Sequence, residues 1–179
     1  MANLIVANSS NYTTYLNTLF AGDTLYLSKG IYNNNLKLNE INGTQLEPIV
    51  IIGEGNKTIF KGQSCCNTVS ITKCSFLVIK NIQLDGQNLS IDAVKAEGTT
   101  GNWAHHITLE YLNIINYGNS QQNVGISTKC SAWNWLIRKN IIIGAGTGMY
   151  LGNSNGDAPF VNGIIEYNYI ANTVGYNME

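Results

Sequence analysis

One pattern in this chain puts ionisable side chains at a fixed spacing. The same aliphatic position in four segments is followed by a charge, as Lys80, Glu110, Arg138 and Glu166, at steps of about 28–30 residues. If the four segments are stacked strands, side-chain alternation puts these charges on an outer face, one per layer, about 4.8 Å apart. Two chemistries fit that arrangement. Lys80 or Arg138 could remove a proton from a uronic-acid sugar. Alternatively, the four charges form a cross-layer ladder that fixes strand register, each exposed pair contributing about 0–1 kcal/mol. The ladder is the simpler reading, because Glu110 and Glu166 fall two layers apart with Arg138 between them, a poor arrangement for one cation. The next column, Asn81, Tyr111, Lys139 and Tyr167, sets a lysine between two aromatic rings. A sugar could stack on Tyr111 or Tyr167 beside Lys139, although cross-layer packing serves the same residues. Trp103 and Trp133 lie in or beside loops and are outward candidates for stacking on a polysaccharide. Trp135 falls inward with Ile137 by parity.

Other motifs carry less. His105-His106 is the one histidine pair, and neighbouring strand residues point to opposite faces, so the two are not expected to share a metal. Gly144-Ala145-Gly146-Thr147-Gly148 lacks the Gly-Lys-Ser/Thr ending of a phosphate loop and leads into a strand, so its glycines are read as tight turning. Asp23, Asp85, Asp92 and Asp157 are scattered and give no aspartate pair. Cys65, Cys66, Cys74 and Cys130 fit no zinc spacing. Free thiols are expected, with Cys66–Cys74 or Cys65–Cys74 as the alternative bridge.

The elements that must hold these residues follow from composition and repeat. The 179 residues are 44% hydrophobic and only 12% charged, half the charge of an average domain at about 25%. Asparagine, at roughly one residue in seven, takes over the wetting of the surface. A net charge of −1 provides no field for nucleic acid or an anionic membrane, and neither is expected as a partner. No apolar run is long enough for a membrane-spanning helix. The start, Met1 to Asn8, lacks the basic and apolar regions of a signal peptide.

Three columns of apolar residues keep step along the chain. The first runs Ile51, Ile79, Leu109, Ile137 and Ile165; the second Leu84, Ile114, Ile142 and Ile170; the third Ile71, Val94, Ile126 and Tyr150. Short strands with no crossover helix, repeating every 28 residues or so, predict a solenoid of about five parallel coils. Residues 8–21 are read as a helical lid over the first coil, capped by Ser10, with Tyr12, Tyr15, Leu16, Leu19 and Phe20 on one face and Gly22 ending it. This divides the chain into an N-terminal strand and cap, 1–23, and coils, 24–179. The last residues, Tyr176 to Glu179, follow a full coil with no closing segment, so an end-to-end homodimer or a longer natural chain is expected.

Gly22-Asp23-Thr24-Leu25-Tyr26-Leu27, Gly30-Ile31-Tyr32, Pro48-Ile49-Val50-Ile51-Ile52-Gly53, His106-Ile107-Thr108-Leu109-Glu110 and Gly146-Thr147-Gly148-Met149-Tyr150-Leu151-Gly152 together resemble right-handed parallel β-helix proteins of the pectate-lyase-like superfamily. The resemblance covers nearly the whole chain. It implies an all-β, right-handed parallel β-helix, a polysaccharide lyase-like or polysaccharide-binding function with anionic polysaccharide as partner, and an extracellular or cell-surface setting. Lyases of the group hold calcium on a carboxylate-rich strand followed by a lysine and an arginine. Asn177 and Glu179 could begin such a strand, so calcium is expected only if the chain is lyase-like, and no other cofactor is. Because that carry-over is incomplete, the expectation is an incomplete or inactive relative; a non-catalytic surface protein joined through its last coil is the alternative.

Overall fold

A computed structural model describes residues 2–179. The chain winds as a right-handed parallel β-helix of about five turns with almost no helix. Every strand pairing between coils is parallel. The column Ile51–Ile79–Leu109–Ile137–Ile165 is one vertical row in strand register, and Leu84–Ile114–Ile142–Ile170 is a second. The third column needs correction. It runs Leu36, Val69, Val94, Ile126 and Met149; Ile71 and Tyr150 stand elsewhere, because the Gly/Asn/Ser loops before this face vary in length and conceal its register.

A coil consists of straight runs joined at sharp corners, and the corners repeat. Phe76, His106, Asn134 and Asn162 have φ of +49, +53, +58 and +52, and Asn81, Tyr111, Lys139 and Tyr167 have φ of +53, +55, +54 and +54. These left-handed positions turn the chain between faces within a single residue. Asparagine tolerates that conformation, whereas an aromatic or lysine there is strained by about 1–3 kcal/mol and persists because the stacked coils impose it. One face is a separate five-stranded sheet: Leu36–Asn39, Val69–Thr72, Val94–Ala96, Val124–Thr128 and Thr147–Leu151. The other faces belong to one continuous sheet that wraps the rest of the core. Leu, Ile, Val and Ala side chains from every coil fill the interior, with Tyr12, Tyr32, Phe60, Tyr117 and Trp135 as its largest members. Trp135 is inward as parity predicted, its indole N–H donating to the Ala104 carbonyl at 2.9 Å.

Not all of the asparagine wets the surface. Asn140 is fully buried at a corner. Its amide oxygen accepts from the Leu112 N–H at 2.9 Å, and its NH₂ donates to the Leu109 carbonyl at 3.0 Å and to Asn168 Oδ1 at 2.9 Å. Asn168 repeats the motif one coil up, donating to the Ile137 carbonyl at 2.8 Å. The ladder satisfies backbone groups that the corner would leave without partners. The 28-residue step from Asn140 to Asn168 was its trace in the sequence.

The lid is shorter than the pattern suggested. The helix spans only Tyr12–Leu16, and its N-cap is Asn11 rather than Ser10. Thr13, Thr14, Asn17 and Thr18 are weak helix formers, which accounts for the five-residue length. Tyr12 and Leu16 are buried, Tyr15 and Leu19 pack against the core, and Phe20 is exposed. Gly22, φ +88, closes the turn before Thr24–Leu27, and residues Leu4–Ala7 pair with that strand. Asp23 clamps this end. Its carboxylate, 1% exposed, accepts from Asn3 N and Nδ2 and from Phe20 N, each at 2.9 Å. The Phe20 and Asn3 donors hold its pKa below the usual carboxylate range against the opposing effect of burial. A lowered folded-state value means the stabilisation is present above the unfolded pKa of about 3.9 and is lost as pH falls through the folded one. Asp23→Ala should therefore lower stability by about 1–3 kcal/mol at pH 7, and the gap to wild type should narrow in denaturant titrations repeated at about pH 3.

The cysteines also depart from expectation. Cys65 and Cys66 form a disulfide with each other, Cα–Cα 3.8 Å, while Cys74 and Cys130 are free and buried. The proposed bridges to Cys74 fail because its thiol lies in the core, donating to the Leu38 carbonyl at 3.4 Å, whereas Cys65 is on an exposed turn. Burial pushes the Cys130 thiol up to about 11. Alkylation of the unfolded, unreduced protein should label two cysteines, and alkylation after reduction four, counted by mass spectrometry.

Candidate functional site

The five-stranded sheet carries a groove of about 560 Å³ on its outer face. Lys95, Ser127 and Tyr150 lie side by side on successive coils, in register. Asp92, Lys129, Tyr176 and Glu179 also line it, with Gln121 and Gln122 among the neutral residues. Asp92 is buried and fixed: Oδ1 accepts from the Val124 N–H at 2.9 Å, and Oδ2 pairs with Lys95 Nζ at 3.2 Å. Lys129 Nζ sits 3.0 Å above the centre of the Tyr150 ring and donates to the Gly152 carbonyl at 3.3 Å. Burial, with the Lys95 charge second, draws the Lys129 pKa below that of an ordinary lysine. Ser127 Oγ is buried beneath the groove with no partner. Asp92, Tyr150 and Glu179 were read in the sequence only as a scattered aspartate, a column member and a calcium candidate, and Lys95, Ser127 and Lys129 did not stand out, because the groove depends on register across loops of unequal length.

The charge column lies on the neighbouring face. Lys80–Glu110, Glu110–Arg138 and Arg138–Glu166 are all in register. Arg138 Nη2 binds Glu110 Oε2 at 3.0 Å, and this is the column's one ion pair. Glu110 is engaged by Arg138, so Lys80 is left without a counter-ion, as is Glu166. Neither Lys80 nor Arg138 faces the groove. At the next corner, Lys139 Nζ donates to Tyr111 Oη at 2.9 Å, and that bond raises the lysine's pKa. Tyr167 is 79% exposed.

Trp103 and Trp133 do meet on the surface, with a histidine between them. The His105 ring stacks on both, with centroids at 5.1 and 4.5 Å. The expectation that His105 and His106 diverge is overturned. His106 occupies a left-handed corner, which reverses strand alternation and brings the two Nδ1 atoms to 2.7 Å. Phe76 stacks on His106 at 4.3 Å, and the Asn134 amide meets its Nε2 at 3.0 Å. The result is a half-exposed aromatic wall, with one imidazole donating to the other.

The calcium expectation finds little support in the donor set. Asn177 Oδ1 accepts from Thr173 at 2.9 Å, Glu179 faces the groove, and no three acidic, histidine or cysteine side chains gather around a common point among the described residues. These residues do not make the multi-oxygen cage that calcium requires. No described helix is long and apolar enough to cross a membrane.

No protein-family model and no curated protein matches the chain. Solved structures do. An alginate lyase from Paenibacillus sp. str. FPU-7 superposes with a TM-score of 0.71 at 18% identity, over 91% of this chain and 58% of that one. The likeness is one of fold. A GH136 lacto-N-biosidase from Eubacterium ramulus gives 0.73 at 15% identity, over 97% and 42%. The A-module of a mannuronan C-5 epimerase from Azotobacter vinelandii gives 0.67 at 17%, over 97% and 50%. The chain thus spans between 42% and 58% of the length of these three β-helix proteins.

Proposed function

We propose that the chain is a carbohydrate-active β-helix that holds an anionic polysaccharide along the groove of the five-stranded sheet. The observation that carries this reading is Lys129, partly desolvated on the Tyr150 ring beside Lys95. Lys95 is already paired with Asp92, and Glu179 shares the lining, so Lys129 is the groove's cation without a carboxylate partner and the one that would meet a uronate carboxylate, while the Tyr150 and Tyr176 rings offer faces to the sugars. Because Lys129 Nζ is clamped between a ring and the Gly152 carbonyl, it acts as a fixed charge rather than a mobile base. The structural neighbours include an alginate lyase and a mannuronan epimerase, which supports a uronate ligand. The test is a titration with alginate, pectate and glycosaminoglycan oligomers, with unsaturated product followed by ultraviolet absorbance. Saturable binding without product is expected. Product that disappears in Lys129→Ala would replace this reading with a lyase, and no binding to any of the three would refute it.

A further inference from the structure

The two histidines of the aromatic wall hold their protons in a fixed order, set by the hydrogen-bond network. The Asn134 NH₂ group meets His106 Nε2 at 3.0 Å, so that nitrogen accepts and His106 carries its proton on Nδ1. His106 Nδ1 then donates to His105 Nδ1 at 2.7 Å, and His105 keeps its own proton on Nε2. There is room for one proton between the two Nδ1 atoms. A second, on His105 Nδ1, sets two N–H groups head to head. Turning the Asn134 amide over admits a proton at His106 Nε2 and leaves the bond in place, so His105 is the ring whose charging breaks it.

No countercharge eases that conflict. Ser75 lies beside His105 on the coil below and Trp133 on the coil above. Trp103 stacks on His105 from its own strand, and Phe76 and Asn134 flank His106. None of these five is charged at any pH near neutrality. Cys74, the titratable neighbour on the lower coil, donates into the core at the Leu38 carbonyl. Burial, with His106 second, draws the His105 pKa below the usual histidine value of about 6.5. A lowered folded-state value means the stabilisation is present above the unfolded pKa and is lost as pH falls through the folded one. The two indoles attract a cation, which opposes that shift and decides which ring moves: His105 stays between them and His106 leaves. We propose that the His105–His106 pair is a pH-sensitive latch, closed while His105 Nδ1 is unprotonated and opened when a proton there parts the rings and frees His106 from the Phe76 face.

The chain has two histidines, so every imidazole resonance reports on this pair. The test is a magnetic-resonance titration of both rings, nitrogen and carbon-bound proton, from about pH 7.5 to about pH 4.5. Near neutrality His105 should show a bare Nδ1 and His106 a protonated one. His105 should then titrate below about 6.5. Over the same range the His106 ring protons should lose the ring-current shift of the stacked Phe76, while circular dichroism stays constant. His106→Phe tests the cause. Phe76 occupies the equivalent corner one coil down at φ +49, so phenylalanine fits there, and without the donor His105 should titrate at a higher pH than in wild type. The proposal is overturned if His105 titrates at or above about 6.5 or takes no proton in the range. It is also overturned if the His106 shift survives that titration or is lost only with global unfolding, or if His106→Phe leaves the midpoint in place. The wild-type titration decides the matter even if the variant does not fold.

Discussion

Asn140→Ala should destabilise the protein by about 2–6 kcal/mol, the largest effect expected of any single polar truncation here. The side chain serves two backbone groups, the Leu112 N–H and the Leu109 carbonyl, as well as Asn168. Truncation leaves both backbone groups buried without partners, each costing about 1–3 kcal/mol. Asn140→Asp is the informative control. It retains the acceptor for Leu112 but loses the donor, and it places a buried charge against the Leu109 and Asn168 oxygens, so it should be no milder than alanine. Urea unfolding followed by circular dichroism reads both. Asn168, half-buried one coil higher, should be less sensitive. Equal stability of Asn140→Ala and wild type would mean that the corner finds other partners and the ladder is incidental.

Lys129→Met should weaken binding of an anionic oligosaccharide about 10–100-fold, from a charge-assisted interaction of about 1.5–3 kcal/mol. Methionine keeps the stem that packs on Tyr150 and removes only the charge. The loss should be greatest at low salt and shrink as ionic strength rises. The pH dependence has a definite sign. Burial and Lys95 lower the Lys129 pKa, so its charge, and the binding that rests on it, should fade at a lower pH than for an ordinary lysine. Calorimetric titrations at rising pH measure this. An unchanged affinity in Lys129→Met would move the ligand off the groove.

The sequence revealed the fold more fully than the site, for a physical reason. Rows such as Ile79–Leu109–Ile137–Ile165 face a core that admits only apolar side chains, so each coil repeats the signal. The groove has no such constraint. Lys95, Lys129 and Tyr150 converge only once the irregular segments between them, 97–102 and 118–123, are placed, and nothing in their spacing discloses that. The histidine pair misled for a related reason. Alternation holds along a strand, and one left-handed residue at His106 cancels it. The Cys65–Cys66 bridge followed from which thiols the core leaves outside, a matter of burial rather than spacing.

The repeated corners have a consequence for how such a molecule can diversify. Because Phe76, His106, Asn134 and Asn162 turn the chain at the same height on every floor, the segments that bulge between floors are mechanically uncoupled from the columns. Residues can be added to or removed from 99–101, where every residue is exposed, without displacing a buried row. The rim around the polar channel is thus free to drift while the shaft stays fixed, so new ligand preferences are open to this architecture at little cost to its stability.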